Sequence, residues 1–259
     1  MSGRPVVVGV DGSEQALAAV EWAARAAKGR PLRIVHAGSG PGVVEAAVEL
    51  AMRVEPGAAV AGRTVPGGPA DALLRQDADL VVVGSHSGAA GALLGSTALR
   101  VAADAACPVV VVRPVVDEPG PPESRGLVVA GVDGSAASAA VIEFAVAEAA
   151  RLGTGVVGAM VAPVRPLRGT DVLLEEDEAP EHARLLAECL AGWPDKHPDV
   201  PVSRVLLAGR PARLLTGLAL GARLLVVGSR GLGGVRGQLL GSTSQAVLKH
   251  APCPVAVIH

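Results

Sequence analysis

The sequence repeats itself in order along the chain. Three segments of the first half return in the second half: VGVDGS (8–13) as AGVDGS (130–135), VVVGS (81–85) as LVVGS (225–229), and LLGST (93–97) as LLGST (239–243). Because the matches keep their order, they indicate a duplicated domain. The offset grows from 122 residues, between positions 8 and 130, to 146 residues, between positions 93 and 239. One copy has therefore gained sequence, or the other has lost it.

The segment between the two copies has the composition of a linker. RPVVDEPGPPES, at 113–124, is rich in proline and acidic residues and has neither helical nor strand periodicity. Such a segment is typical of a semi-rigid connection. We predict a first domain over residues 1–116, a linker over 117–124 and a second domain over 125–259. Both domains are of ordinary size.

Within each half, short runs of β-branched residues alternate with alanine-rich segments of helical spacing. Strands that are apolar on both faces and alternate with helices are typical of a parallel sheet covered by helices on each side. We therefore predict two doubly wound α/β domains. In the second half the sequence predicts a helix over 136–152, with Ser135 as its N-cap and Gly153 at its end. The predicted strands there are 126–132, 156–162, 202–207, 223–228 and 254–258.

Composition argues against nucleic acid and membrane as partners. The net charge is −2, no lysine and arginine cluster forms a basic stripe, and the aromatic residues are only Trp22, Phe144 and Trp193. Binding to nucleic acid needs basic surface or aromatic faces for stacking. No run approaches the roughly 20 apolar residues that span a bilayer, and the first residues lack an apolar run long enough for a signal peptide.

The cysteines and histidines indicate neither a disulfide framework nor a metal site. Cys107, Cys189 and Cys253 form no CxxC pair, so we expect reduced thiols in a cytoplasmic protein. The six histidines are scattered, without HxxxH or HxH spacing, and we therefore predict no metal site.

Two segments point to a ligand site at the carboxyl edge of the second sheet, where open parallel sheets bind their ligands. Asp133 in VDGS can accept hydrogen bonds from a hydroxyl-rich group. The glycine-rich segment from 228 lets backbone N–H groups approach an anion closely. It leads into the helix at Ser242, whose amino end favours negative charge, and Arg230 and Arg236 could neutralise phosphates. Glycine content alone fits a flexible connector equally well.

The spacing of these glycines carries a more specific signal. Gly228, Gly231 and the pair Gly241-Ser242 follow the pattern Gly-x2-Gly-x9-Gly-Ser/Thr. Together with VDGS, the following helix and the HAPCPV ending, it resembles the ATP-binding loop of the universal stress protein family. The resemblance covers essentially the whole chain, twice, so the sequence is similar to a tandem two-domain member. It implies, in each domain, a Rossmann-like five-stranded parallel sheet in the order 3-2-1-4-5 with helices on both faces.

The same resemblance implies an ATP site in the second domain. Asp133 would bind the ribose or adenine side, and Val161 would meet adenine, although GAMVA stands where the family usually has a histidine-bearing strand end. Arg230 is added because of its charge. The sequence leaves open whether Mg²⁺ accompanies the nucleotide. The predicted ATP-binding residues are Asp133, Val161, Val227, Gly228, Arg230, Gly231, Gly241, Ser242 and Thr243.

The first domain carries a shortened copy of the loop. It spans 11 positions from Gly84 to Gly95, where the second loop spans 13 from Gly228 to Gly241, and Ser87 replaces the second glycine unless Gly88 takes its place. Removing two residues displaces the N–H groups by several ångströms, at about 3.3–3.6 Å of chain per residue. Because the second half fits the family spacing, we infer losses in the first. The residues kept for a weaker second site are Asp11, Gly84, Gly95, Ser96 and Thr97.

The resemblance, together with these features, implies a cytoplasmic stress-response regulatory protein that binds ATP, chiefly in its second domain, as a nucleotide-dependent switch. Neither a GxSxG elbow nor a GxxxxGK[ST] loop occurs, so we expect no enzymatic activity beyond slow ATP hydrolysis. Two alternatives stay open: an interaction scaffold that binds no nucleotide, and cyclic AMP as the ligand. We expect the two domains to pair within one chain through their last strands, CPVVVV and CPVAVI, and the sequence leaves a further homodimer open.

Overall fold

The computed structural model describes residues 3–85, 94–114, 120–162, 172–175, 177–232 and 240–259. The chain divides into two compact units, Met1–Pro114 and Val115–His259. Each unit is an α/β fold in which helices cover a predominantly parallel sheet, as the sequence predicts. No helix in the described part of the chain is both long enough and apolar enough to span a membrane.

The described residues of the first unit form five strands and four helices. Its strands follow the order β3-β2-β1-β4-β5, and every neighbouring pair is parallel. The strands are β1 (Val6–Val10), β2 (Leu32–Ala37), β3 (Val60–Val65), β4 (Leu80–Gly84) and β5 (Val109–Val112). The helices are α1 (Glu14–Ala26), α2 (Val43–Val54), α3 (Pro69–Leu74) and α4 (Ser96–Asp104).

The second unit has the same arrangement with additions. Its strand order is β8-β9-β7-β6-β10-β11, with β8 antiparallel and the other pairs parallel. The strands are β6 (Val128–Val132), β7 (Val156–Ala162), β8 (Val172–Leu173), β9 (Val202–Ala208), β10 (Leu224–Gly228) and β11 (Val255–Ile258). The helices are α5 (Ala137–Leu152), α6 (Pro180–Leu190), α7 (Trp193–Lys196), α8 (Pro211–Leu218) and α9 (Ser242–His250).

Two predictions for the second unit are wrong in detail. Five parallel strands were predicted, but β8 adds a short antiparallel strand on β9, which is too short to produce a periodic pattern in the sequence. Ser135 does not cap the following helix: α5 begins at Ala137, and its N-cap position is Ala136 without a side-chain bond. The N–H of Ser138 instead donates to the carbonyl oxygen of Ser135 at 3.0 Å, and the N–H of Ser135 donates to the Asp133 carboxylate at 3.0 Å. The predicted end at Gly153 is confirmed, with a left-handed φ of 63°.

The cores are aliphatic because both faces of each sheet are covered. Val6, Val7 and Val8 of β1 are fully buried, as are the side chains of Leu224 and Leu225 in β10. Helix α1 turns mainly alanines inward, and such small side chains let a helix approach the sheet closely. In the second unit, α5 packs on β6 and β10, and α6 packs on β7 and β9. This packing fixes the strand ends from which the site is built.

The end of the predicted linker packs against the second unit. Ser124 is fully buried, and its hydroxyl donates to the carbonyl oxygen of Leu218 at 2.5 Å. The N–H of Gly126 donates to the carbonyl oxygen of Gly221 at 2.8 Å. A Cβ at Gly120 would overlap the carbonyl group of Leu220. Residues 120–126 are therefore held by the loop that follows α8, whereas residues 115–119 of the predicted linker region lie outside the described residues.

Candidate functional site

The site of the second unit forms where two neighbouring strands end. Strand β6 leads directly into Asp133, and β10 ends at Gly228, where the glycine-rich loop begins. The two strands pair in parallel, with Val227 opposite Gly131, so the aspartate turn and the loop leave the sheet side by side. A cleft of about 560 Å³ opens between them. This position agrees with the general place of ligand sites in doubly wound sheets.

All nine predicted ATP-binding residues of the second unit line this one cleft. Other lining residues escaped the sequence analysis because they lie on helices or strand interiors without a recognisable motif. They include Ser138, Met160, His182, Leu185, Leu215 and Ser244. Met160 takes the register position opposite Val132, near the end of β7, in the segment GAMVA that has no histidine. Arg236, the second predicted cation, lies outside the described residues.

Asp133 is held as a carboxylate that faces the loop. One oxygen, Oδ1, accepts from the backbone N–H of Ser135, and the other, Oδ2, accepts from the backbone N–H of Leu232 at 2.8 Å. Burial raises the pKa of the Asp133 carboxyl, but hydrogen bonds from Ser135, Leu232 and Ser138 lower it more. The pKa therefore lies below the ordinary 3.8, and the group is ionised at neutral pH. The bond to Leu232 ties the aspartate turn to the glycine-rich loop.

The two ends of the glycine-rich loop are joined at its base. The N–H of Gly241 donates to the carbonyl oxygen of Ser229 at 2.8 Å, and the N–H of Ser229 donates to the carbonyl oxygen of Ile258 at 2.6 Å. The hydroxyl of Ser244 donates to the carbonyl oxygen of Gly228 at 2.6 Å. Because Gly241 is the N-cap of α9, this closure aims the amino end of that helix, with its positive partial charge, at the cleft.

A side chain would have different consequences at two glycines of the pattern, Gly231 and Gly241. A Cβ at Gly231 would collide with Oδ2 of Asp133, so any other residue there would displace the aspartate side chain, with or without a ligand. A Cβ at Gly241 would lie 3.5 Å from its nearest neighbour, the carbonyl oxygen of Ser229, which is an ordinary contact. Alanine at position 241 therefore changes the surface offered to a ligand while leaving the loop base in place.

The corresponding cleft of the first unit is smaller. It measures about 260 Å³ and is lined by all five residues predicted for a weaker site: Asp11, Gly84, Gly95, Ser96 and Thr97. Its loop base keeps the counterparts of two backbone bonds: the N–H of Gly95 donates to the carbonyl oxygen of Ser85 at 2.7 Å, and the N–H of Ser85 donates to the carbonyl oxygen of Val112 at 2.9 Å. Asp11 is exposed, and its Oδ1 accepts from the N–H and the hydroxyl of Ser13. Ser87 and Gly88, the two candidates for the second glycine, lie outside the described residues.

Comparison with known proteins identifies the family. The chain matches the model of the Universal stress protein family over residues 3–65, 43–113 and 126–259. It is 36% identical over 286 residues to universal stress protein Rv2005c of Mycobacterium tuberculosis, with 97% of this chain and 96% of that protein covered. The chain belongs to the universal stress protein family. A second relative, a universal stress protein of Mycolicibacterium smegmatis, is 37% identical over 288 residues, with 98% of this chain and 96% of the relative covered.

The family matches in both halves confirm that this universal stress protein is a tandem of two domains. A solved structure agrees in fold over nearly the whole chain. It is a protein of unknown function, PA1789, from Pseudomonas aeruginosa, with a TM-score of 0.68, 18% identity, and coverage of 98% of this chain and 92% of that one. At this identity the likeness concerns the fold alone.

Ionisable groups lie in and beside the second cleft of this universal stress protein. Burial raises the pKa of the neighbouring Cys189 thiol, and the negative charges of Asp133 and Glu188 raise it further, so Cys189 stays protonated at neutral pH. In the described part of the chain, no group of three or more His, Cys, Asp or Glu side chains is arranged to hold a metal ion. The cleft instead combines one carboxylate, apolar walls, backbone N–H groups and the exposed cation of Arg230.

Proposed function

We propose that this universal stress protein binds ATP in the cleft of its second unit and acts as a nucleotide-dependent regulatory switch. One observation carries the proposal: the nine residues predicted from the glycine pattern and its surroundings line a single cleft of about 560 Å³. That volume falls within the roughly 300–1,000 Å³ of small-molecule sites. The cleft of the first unit, about 260 Å³, falls below this range.

The proposed pose follows from the polarity of the walls. The ribose hydroxyls lie towards Asp133, whose carboxylate accepts hydrogen bonds, and adenine lies against the apolar side chains of Met160 and Val161. The phosphates lie towards Gly241, Ser242 and Thr243, where the amino end of α9 supplies N–H donors. Arg230, at the exposed rim, adds a positive charge. Any Mg²⁺ would enter with the triphosphate, since Mg²⁺ usually binds through substrate phosphates and water.

The proposed activity is binding, with at most slow hydrolysis of ATP. A switch requires that the ligand bind two states of the protein with different affinities. The loop that begins at Gly228 is the element proposed to change state, because its N–H groups meet the phosphates while Leu232 already contacts Asp133. Ligand would thus favour one arrangement of a loop that is fixed at its base by Gly241 and Ser229.

We also propose that the two units pair with each other within one chain. We further propose that the protein is cytoplasmic. Strand β5 ends the sheet order of the first unit, and β11 ends that of the second. An end strand offers unpaired backbone groups, and pairing between two such edges would cover both. The cytoplasmic assignment is supported by Cys107, Cys189 and Cys253, none of which forms a disulfide bond, the state favoured in a reducing compartment.

Calorimetric titration of the full chain with ATP tests the proposal. We expect one site per chain, unchanged by Gly95→Ala in the first unit and weakened about tenfold or more by Gly241→Ala, because a methyl group blocks the close approach of a phosphate. Gly241→Ala is preferred over Gly231→Ala, since only the latter disturbs Asp133 directly. The melting temperature of each variant shows whether its fold is intact.

Each other outcome of the titration rejects a stated part of the proposal. Two equivalent sites would show that the shortened loop binds as well as the intact one. Tighter binding of cyclic AMP than of ATP would show that cyclic AMP, and not ATP, is the ligand of the cleft. Failure of the wild-type, ligand-free chain to bind either nucleotide would favour the interaction scaffold.

A further inference from the structure

Two buried serines of the second unit are replaced by alanines in the first. Counting from the repeated VDGS segments, Ser138 corresponds to Ala16. Counting from the repeated LLGST segments, Ser244 corresponds to Ala98. Both serines are buried, with 4% of each residue exposed, and both line the cleft of the second unit. Neither belongs to the glycine pattern or to VDGS.

Ser138 organises the turn that carries Asp133. It lies in the first turn of α5, and its hydroxyl oxygen accepts from the backbone N–H groups of Asp133 at 3.3 Å and Gly134 at 3.1 Å. The same hydroxyl donates to Oδ1 of Asp133 at 3.4 Å. One side chain therefore fixes both the backbone of the turn and the direction of its carboxylate. Ala16 has no hydroxyl with which to do the same in the first unit.

Ser244 closes the glycine-rich loop a second time. Its hydroxyl donates to the carbonyl oxygen of Gly228 at 2.6 Å, beside the backbone bond from Gly241 to Ser229. The last residue of β10 is thus tied directly to α9. Two bonds at the base leave the loop fewer arrangements than one bond, so less conformational entropy is lost when a ligand orders it. In the first unit Ala98 has no hydroxyl with which to form this bond, whereas the backbone bond from Gly95 to Ser85 is retained.

We propose that Ser138 and Ser244 are positioning residues that give the second unit its nucleotide affinity. Ser138 holds the carboxylate that meets the ribose, and Ser244 holds the loop that meets the phosphates. Their absence from the first unit is a second cause of its weaker site, independent of the shorter loop. This inference rests on the proposed nucleotide binding of the second cleft. It adds two residues that act on the ligand through the groups they hold, Asp133 and the glycine-rich loop.

The test compares Ser138→Ala, Ser244→Ala and the double variant in the full chain, titrated with ATP by calorimetry. We expect each single change to weaken binding about fivefold and the double change about twentyfold, as the loss of one or two ordinary hydrogen bonds predicts. Amide hydrogen exchange supplies the local readout: the N–H of Gly241 should exchange faster in Ser244→Ala, and the N–H of Leu232 faster in Ser138→Ala.

Ser124→Ala is the matched control. Ser124 is also buried and also donates from its hydroxyl to a backbone carbonyl, that of Leu218, but it does not line the cleft. We expect Ser124→Ala to lower the melting temperature by an amount comparable to Ser244→Ala while leaving ATP affinity unchanged. Equal loss of affinity in the two variants would reduce Ser244 to a general stabilising residue and overturn the inference.

The outcomes separate this inference from the function on which it rests. If the wild-type chain binds no nucleotide, the proposed function fails first. If the wild type binds ATP and the double variant binds it with the same dissociation constant, the proposed function stands and the positioning role of the two serines is rejected. If one of the two single variants does not fold, the ATP affinity of the other still tests the positioning role.

Discussion

The two units share a sheet order and a loop base, yet their clefts differ more than twofold in volume, about 560 Å³ against 260 Å³. In both, an N–H at the end of the glycine-rich segment donates to the carbonyl oxygen of the serine that follows β4 or β10, at 2.7 Å from Gly95 and 2.8 Å from Gly241. That backbone bond belongs to the fold and survives in both copies. What separates the copies lies in side chains and in loop length.

The aspartates that follow the first strands show the difference most clearly. Asp133 is half-buried and accepts hydrogen bonds through both of its oxygens, one of them from the loop. Asp11 is exposed, and the bonds described for it come from Ser13, two residues further along the chain. A duplicated fold can therefore keep a motif letter for letter while the environment that tunes it changes. The comparison predicts unequal consequences for equal substitutions.

The largest difference is expected for removal of the aspartates. Asp133→Ala deletes the acceptor of the ribose and of the Leu232 N–H together, so we expect ATP affinity to fall about a hundredfold or more. Asp11→Ala should leave the dissociation constant and the stoichiometry unchanged. Titration calorimetry on both variants gives the comparison. Loss of one binding site per chain in Asp11→Ala would instead show that the first unit takes part in binding.

A smaller difference is expected for the glycines that follow the aspartates. Gly12 and Gly134 both have left-handed backbone, with φ of 87° and 79°, so alanine strains each turn by about 1–2 kcal/mol. A Cβ at Gly134 would also lie 2.6 Å from the Leu185 side chain, whereas at Gly12 the nearest atom is in Val43 at 3.4 Å. We expect Gly134→Ala to lower the free energy of unfolding by about 1 kcal/mol more than Gly12→Ala.

The two tryptophans allow this measurement in the full chain. Trp22 lies in α1 of the first unit, and Trp193 begins α7 of the second. Urea unfolding followed by fluorescence, repeated in Trp22→Phe and Trp193→Phe backgrounds, assigns each transition to one unit. Equal losses for the two glycine variants would mean that α6 yields to the new methyl group without cost.

The smallest effect is expected in the pH dependence of stability. The pKa of Asp133 is lowered in the folded chain, so its ionised form stabilises the fold at neutral pH, and this contribution disappears as the pH falls through the lowered pKa. We expect the stability gap between wild type and Asp133→Asn to narrow as the pH is lowered from about 6 to about 3. Because the carboxylate is half-exposed, the gap should stay below about 1 kcal/mol. A difference in stability that grows as the pH falls would contradict the lowered pKa of Asp133 in the folded chain.

Much of this architecture could be predicted because it depends on local patterns. Every strand predicted for the second unit begins and ends within two residues of the observed one, and α9 coincides with the segment STSQAVLKH. Strands buried on both faces produce uninterrupted runs of valine and leucine, which are hard to mistake. Gly153 was recognisable as a helix end because left-handed backbone there favours glycine.

The errors and omissions concern contacts between residues that are distant in sequence, or cases in which two acceptors compete for one N–H. Ser135 resembles an N-cap residue, but the N–H of Ser138 donates to its carbonyl oxygen and not to its hydroxyl. Ser244 looks like an ordinary helical serine until Gly228, 16 positions away, is brought beside it. Comparing the two halves residue by residue would have drawn attention to Ser138 and Ser244, since alanine replaces both in the first half. His182 and Leu185 reach the cleft only through tertiary packing.

The anchoring of residues 120–126 decides how the chain can be divided for experiments. Arg125 donates to the carbonyl oxygen of Gly120, and Ser124 donates to that of Leu218. A second half produced on its own keeps both bonds only if it begins at or before Gly120. A fragment that starts at Leu127, where the repeated pattern resumes, would leave the turn after α8 without its covering segment. A failure of such a fragment to fold or bind would then report the position of the cut and carry no information about the nucleotide site.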